Sequence, residues 1–282
     1  MPVPLLDIGG LWPIDGDGYI VNDASVDKIE PLYRAAVDAA VRAYRAHLGA
    51  RLHGVYVRGT VPRGQAVQGV SDLDCFAVTL GDPATVDASW LKAEGARIAA
   101  EHRCVSDVQL EIWPYDEALV SDRFSEMSFL LKTQSACVWG DDLAPCLPRF
   151  KPDVVVANND ISQIRPDIAE AIAALHTDGS ARNVLYRCRR IMKNTLRTGC
   201  SLVMAQERVF TRDLKPCYEL FARHYPDQAG SMRRVLDLAI EPSADRDTVL
   251  EILNTFGAWL IAQADAWLDV HNPSKVVEMP LS

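Results

Sequence analysis

The chain of 282 residues is 49% hydrophobic and 24% charged, a globular composition that argues against disorder, collagen and coiled-coil arrays, and its length suggests about two domains. Its net charge of −9 argues against a general nucleic-acid binder, and no apolar run is long enough to cross a bilayer. Seven cysteines without a C-x-x-C pair and six scattered histidines offer no pattern for a structural zinc site, and the cysteines read as free thiols.

The segment Met1 to Asp23 carries Asp7, Asp15 and Asp17 and lacks a basic start and a continuous apolar stretch. No secretory leader is expected, and the cytoplasm is the expected location. Asp15-Gly16-Asp17-Gly18 reads as a turn, because most ligands of a calcium loop are missing. Residues 25–48 repeat apolar positions at helical spacing (Val26, Ile29, Leu32, Tyr33, Ala36, Val37, Ala40, Val41, Tyr44), with Ser25 as the expected cap. Residues 53–58 read as a strand, Gly59 to Gly69 as a glycine-rich turn, and 73–80 as a second strand. A helix is expected over 85–102, a third strand over 104–113 and a short helix over 124–136. Trp139-Gly140-Asp141-Asp142 reads as a loop after a strand, and Gly140, Pro145, Pro148 and Pro152 mark the linker. Beyond it, helices are expected over 161–176, 182–199, 211–224, 231–240 and 245–270. The pattern predicts an α+β protein: a mixed sheet with helices over residues 1–150, then an all-α helical bundle over 151–282.

Charge divides unevenly along this order. Residues 1–150 sum to −8 and residues 151–282 to −1, while 182–215 alone sum to +7. On a helical wheel Arg182, Arg189, Arg190, Lys193 and Arg197 fall within an arc of about 100°, opposite Val184, Cys188, Ile191 and Thr195. A wholly positive face suits a polyanionic ligand.

The most informative stretch runs from Gly59-Thr60 through Gly69 to Ser71-Asp72-Leu73-Asp74. A turn that exposes backbone N–H groups and a hydroxyl suits phosphate oxygens. Asp72 and Asp74 lie two apart, so in a strand both point to one face, ~7 Å apart along the chain. On the third strand Val108, Leu110 and Ile112 form one face, and Asp107, Gln109, Glu111 and Trp113 the other. Glu111 shares a face with polar groups that a neighbouring strand can bring near Asp72 and Asp74; Asp107 is the rival third carboxylate. Carboxylates this close need cations between them, and hard oxygen donors select magnesium or manganese. Two such ions can bridge a nucleoside triphosphate.

Gly59-Thr60, then Gly69-x-Ser71-Asp72-x-Asp74, then an acid on a later strand, resembles the signature of the nucleotidyltransferase (polymerase-beta-like) superfamily, closest to aminoglycoside nucleotidyltransferases. Thr60 stands where the family usually has Ser. The resemblance implies a magnesium-dependent adenylyltransferase that moves AMP from ATP to a hydroxyl of a small acceptor and releases pyrophosphate. Asp72, Asp74 and Glu111 would hold two magnesium ions, and Glu111 would also deprotonate the acceptor hydroxyl. Gly59, Thr60, Arg63 and Ser71 would meet the nucleotide. Asn183 to Ile191 resembles the family's helical-domain segment, which assigns Arg190 to the triphosphate. Lys215 falls where a phosphate-binding Lys is expected, with Arg212 and Lys193 as rivals. The acidic first half suits a cationic acceptor, and no nucleic-acid or membrane partner is expected. Two alternatives remain: an enzyme that adds AMP to a protein hydroxyl, and a non-catalytic nucleotide-binding module.

Overall fold

The computed structural model describes residues 9–281; the first eight residues of the segment read for a leader lie outside them. The described chain forms two compact units. One is Tyr19–Phe150 with the residues from Pro280; the other is Lys151–Met279 with the residues up to Gly18.

The first unit is built on a four-stranded sheet. Its elements are helix α1 (Pro31–Leu48), strand β1 (Leu52–Arg58), strand β2 (Leu73–Thr79), helix α2 (Leu91–Glu101), strand β3 (Val108–Pro114), helices α3 (Tyr115–Ala118) and α4 (Glu126–Gln134), and strand β4 (Ser135–Gly140). The strand order is β3-β2-β1-β4. β1 pairs antiparallel with β2 and β4, and β2 pairs parallel with β3. The parallel step requires a crossover, which α2 supplies. Gly95 of α2 lies against the backbone carbonyl of Val108, where a Cβ would collide.

Strand alternation divides the side chains between two cores. Val55, Val57, Leu73, Cys75, Ala77, Val108 and Leu110 pack beneath α1 and α2. Tyr56, Phe76, Val78 and Trp113 pack with Leu130 and Leu131 of α4 on the other face. On that second face the rings of Tyr56 and Phe76 stack at 5.2 Å, and those of Phe76 and Trp113 at 3.7 Å. This row of aromatic rings crosses three strands and fixes their relative position.

The helical unit holds α5 (Val154–Thr177), α6 (Ala181–Glu207), α7 (Leu214–His224), α8 (Ala229–Ile240), α9 (Arg246–Ile252) and α10 (Ala258–His271). α6 packs against α5, α7 and α8. Its buried row includes Val184, Cys188, Ile191 and Thr195, the side opposite the basic arc.

Element bounds depart from the sequence reading where caps decide them. Ser25 caps a short turn at Val26–Lys28, and α1 begins later, with Pro31 in its first turn. Proline disfavours helix in the residue before it, and Glu30 is accordingly extended, at ψ 147°. Asp153 accepts from Val155 and Val156 N–H, so α5 starts well before residue 161. The expected single helix over 245–270 is interrupted by a π-helical turn at Leu253–Gly257. No helix among the described residues is long and apolar enough to cross a membrane.

Candidate active site

The turn after β1 starts at Gly59, whose φ of +86° is a conformation side chains resist. A Cβ there would stand 3.4 Å from Asp74 Oδ2. The chain then enters a short turn at Val61–Arg63, and the Thr60 carbonyl accepts from Gln65 N–H at 3.0 Å. The Thr60 hydroxyl Oγ1 is buried and has no hydrogen-bond partner. An unmet buried hydroxyl costs roughly 1–3 kcal/mol, and this one sits beside the glycine turn.

Other parts of the turn are committed to the scaffold. Ser71 Oγ accepts from Val67 N–H at 2.9 Å, closing the loop that precedes β2. Arg63 is buried and donates from Nε to Asp23 at 2.9 Å. Burial would raise the Asp23 carboxyl; hydrogen bonds from Lys28 and Arg63 outweigh it and hold the group below the usual carboxylate range. Arg63 is thus placed to pin the turn from behind.

Asp74 and Glu111 fall on the sheet face of the aromatic row. Asp74 alternates with Leu73 and Cys75, which enter the opposite core. It stands level with Arg58 of β1 and Gln109 of β3. Glu111 stands level with Phe76, two positions further along β3. Parallel-strand spacing puts the Asp74 and Glu111 Cα atoms ~8 Å apart. Arg58 reaches toward this gap: its Nη2 lies 3.4 Å from Glu111 Oε1. The indole Nε1–H of Trp113 donates to Glu111 Oε2 at 3.1 Å. Asp72 is half-buried and immediately precedes β2. Asp107 is exposed and takes the Val108 N–H at 2.9 Å, capping the start of β3.

A cavity of about 220 Å³ opens beside these groups, lined by Arg58, Glu111, Trp113, Glu126, Met127 and Leu130. Arg58, Trp113 and Glu126 were not singled out from sequence as site residues. Alternation along β1 from Tyr56 would have put Arg58 on the Asp74 face, but nothing in the sequence aims α4 at the cavity.

Among the described residues, no three His, Cys, Asp or Glu side chains gather closely enough to hold a metal by themselves. Asp72, Asp74 and Glu111 therefore do not form a ready-made cage. The donor set still fits magnesium, which is commonly held by one or two carboxylates, with substrate phosphates and water completing its shell.

Several basic residues of the helical unit have partners within it. Arg187 donates to Glu170, and Asn194 to Asp167 at 2.7 Å. Arg190 interacts with Tyr186, Glu170 and Asp167, which raise its pKa above the ordinary value. Arg212 is tied to Asp160 at 2.9 and 3.0 Å, and Lys215 lies 3.8 Å from Glu219. Lys193 is half-buried on α6. The positive face read from α6 is thus partly neutralised by the acids of α5.

No family model matches the chain, and no curated protein matches it. Among solved structures it is similar to spectinomycin adenyltransferase AAD(9) from Enterococcus faecialis, solved with ATP and spectinomycin, at 15% identity. The match covers 82% of this chain and 99% of that one, with a TM-score of 0.45, a likeness too loose to carry a functional argument.

Proposed function

We propose that the protein is a magnesium-dependent nucleotidyltransferase that moves AMP from ATP to a hydroxyl of a small, cationic acceptor. The observation that carries this reading is the buried, unpartnered hydroxyl of Thr60, in a glycine turn whose first residue abuts Asp74. A phosphate oxygen accepts from such a hydroxyl and from the backbone N–H groups of the turn.

Asp72 and Asp74 would hold magnesium together with the triphosphate. The bound ion supplies charge neutralisation at the phosphoryl oxygens. Glu111 accepts the proton of the acceptor hydroxyl. The freed oxygen bonds to the α-phosphorus, and the bond from that phosphorus to the pyrophosphate oxygen breaks. Arg58 and Trp113 each engage a different Glu111 oxygen and so fix its orientation. An ionised carboxylate has about four lone-pair sites, so Glu111 keeps capacity for a proton. In the helical unit, Arg190, Lys193 and Lys215 are the proposed triphosphate contacts, each at the cost of loosening a present interaction.

Two acids and an indole beside one arginine support a cationic acceptor in the cavity. The test is pyrophosphate release with ATP, magnesium and a panel of aminoglycosides. Release that requires magnesium and an acceptor, and disappears in Asp72→Asn, is expected. Undiminished release by that variant would reject the metal assignment.

A further inference from the structure

α1 presents a row of small residues to the sheet: Ala36, Ala39, Ala40 and Ala43 are buried. They let the helix lie close, and Tyr44, on the same buried face, is fully buried among them. Its ring meets Trp90 edge-on at 5.6 Å. Its hydroxyl lies 2.9 Å from the Cys75 carbonyl, and 3.0 Å from both the N–H and the carbonyl of Glu111. The single hydroxyl accepts from the Glu111 N–H of β3 and donates to the Cys75 carbonyl of β2, the nearer of the two carbonyls. Cys75 directly follows Asp74, so this bridge ties the backbones that carry the two proposed catalytic carboxylates, from the side opposite the site. β3 is the edge strand, and β2 joins it by the parallel pairing, the less stable kind per residue. Burial pushes the Tyr44 pKa up, so the hydroxyl keeps its proton.

We infer that Tyr44 is a positioning residue: its hydroxyl sets the separation of Asp74 and Glu111 by bridging β2 and β3 beneath the site. The inference rests on the nucleotidyltransferase reading, because it assigns Tyr44 an effect on metal binding and turnover. A displacement of about 1 Å at a reacting group can cost about a hundredfold in rate.

The test compares the wild type, Asp74→Asn and Tyr44→Phe. It measures kcat, the KM for ATP, thermal stability, and Mn²⁺ affinity by electron paramagnetic resonance with ATP present. For Tyr44→Phe the expected results are kcat lower by about tenfold, an unchanged KM for ATP, Mn²⁺ affinity lower by a few fold, and cooperative melting. A lower melting temperature with unchanged kcat and Mn²⁺ affinity overturns the inference and leaves Tyr44 a structural residue. If Tyr44→Phe does not fold, 3-fluorotyrosine at position 44 replaces it. A change in kcat at constant KM then supports the inference, and no change overturns it. If the wild type shows no magnesium-dependent transfer, and Mn²⁺ binding is indifferent to Asp74→Asn, the underlying reading has failed and this inference falls with it. If both behave as proposed and only Tyr44→Phe has no effect, the inference alone fails.

Discussion

Thr60→Val separates binding from folding at a single atom. The valine keeps the shape and removes a buried hydroxyl that has no partner, so stability is expected to hold or rise slightly. The KM for ATP should rise by at least about tenfold, because a hydrogen bond to a charged oxygen is worth roughly 1.5–3 kcal/mol. Denaturation and initial-rate measurements on one preparation check both halves; a stability loss with unchanged KM would show that Thr60 meets a partner inside the protein. Asp23 gives a prediction in pH. Its folded-state carboxyl lies below the usual value, so its ion pair with Arg63 stabilises fully above the carboxylate range. That contribution disappears as pH falls through the folded-state pKa. Asp23→Asn should therefore lose about 1–3 kcal/mol at neutral pH, where it removes the carboxylate facing a buried arginine, and match the wild type in strong acid. Urea melts at the two pH values measure this; an equal deficit at both would exclude the ion pair as the cause. The site residues differed in how legible they were. Asp74 and Glu111 could be placed on one face because strand alternation is a local rule, whereas Asp72 lies just before β2, where that rule does not reach. Trp113 could be placed there too, but its bond to Glu111 depends on a rotamer that the aromatic row sets. Tyr44 looked like any apolar position of α1, because its hydroxyl acts on strands distant in sequence.

Elements were legible where periodicity is strong and less so at their ends. Strand β2 matches its sequence reading to within a residue, since an alternating pattern and a preceding turn define it. α1 and α5 begin elsewhere than expected, because Pro31 and Asp153 decide their first turns. The basic face of α6 shows a different limit. A wheel reveals which side of a helix is charged but not what lies against it, and Glu170 and Asp167 of α5 were invisible to it. Gly95 supplies the test at this scale. Gly95→Ala puts a methyl group against the Val108 carbonyl, and α2 must move off β3. Helix propensity alone favours alanine by about 1 kcal/mol, so a net loss of stability in denaturant melts shows that the close approach outweighs it. A net gain would mean that the helix yields without cost.

At the scale of the molecule, the division into a sheet unit and a helical unit follows the change of period along the chain. The residues up to Gly18 nevertheless group with the helices. The Trp12 N–H donates to the Phe210 carbonyl and Asp213 accepts from the Gly10 N–H, pairings between segments about 200 residues apart that no local pattern announces. All seven cysteines are free, five are buried, Cys137 is intermediate and only Cys146 is exposed. A thiol reagent should thus modify about one cysteine rapidly in the native protein and all seven after denaturation. On the proposed reading, the Thr60 turn and the carboxylates of β2 and β3 form one metal-dependent transfer site. The most direct measurement is pyrophosphate release from ATP with an aminoglycoside panel, with and without magnesium, for the wild type and Asp74→Asn. Acceptor-dependent release that stops on chelation and falls by at least about a hundredfold in the variant is expected. Release that continues unchanged in chelator, or in Asp74→Asn, would contradict it.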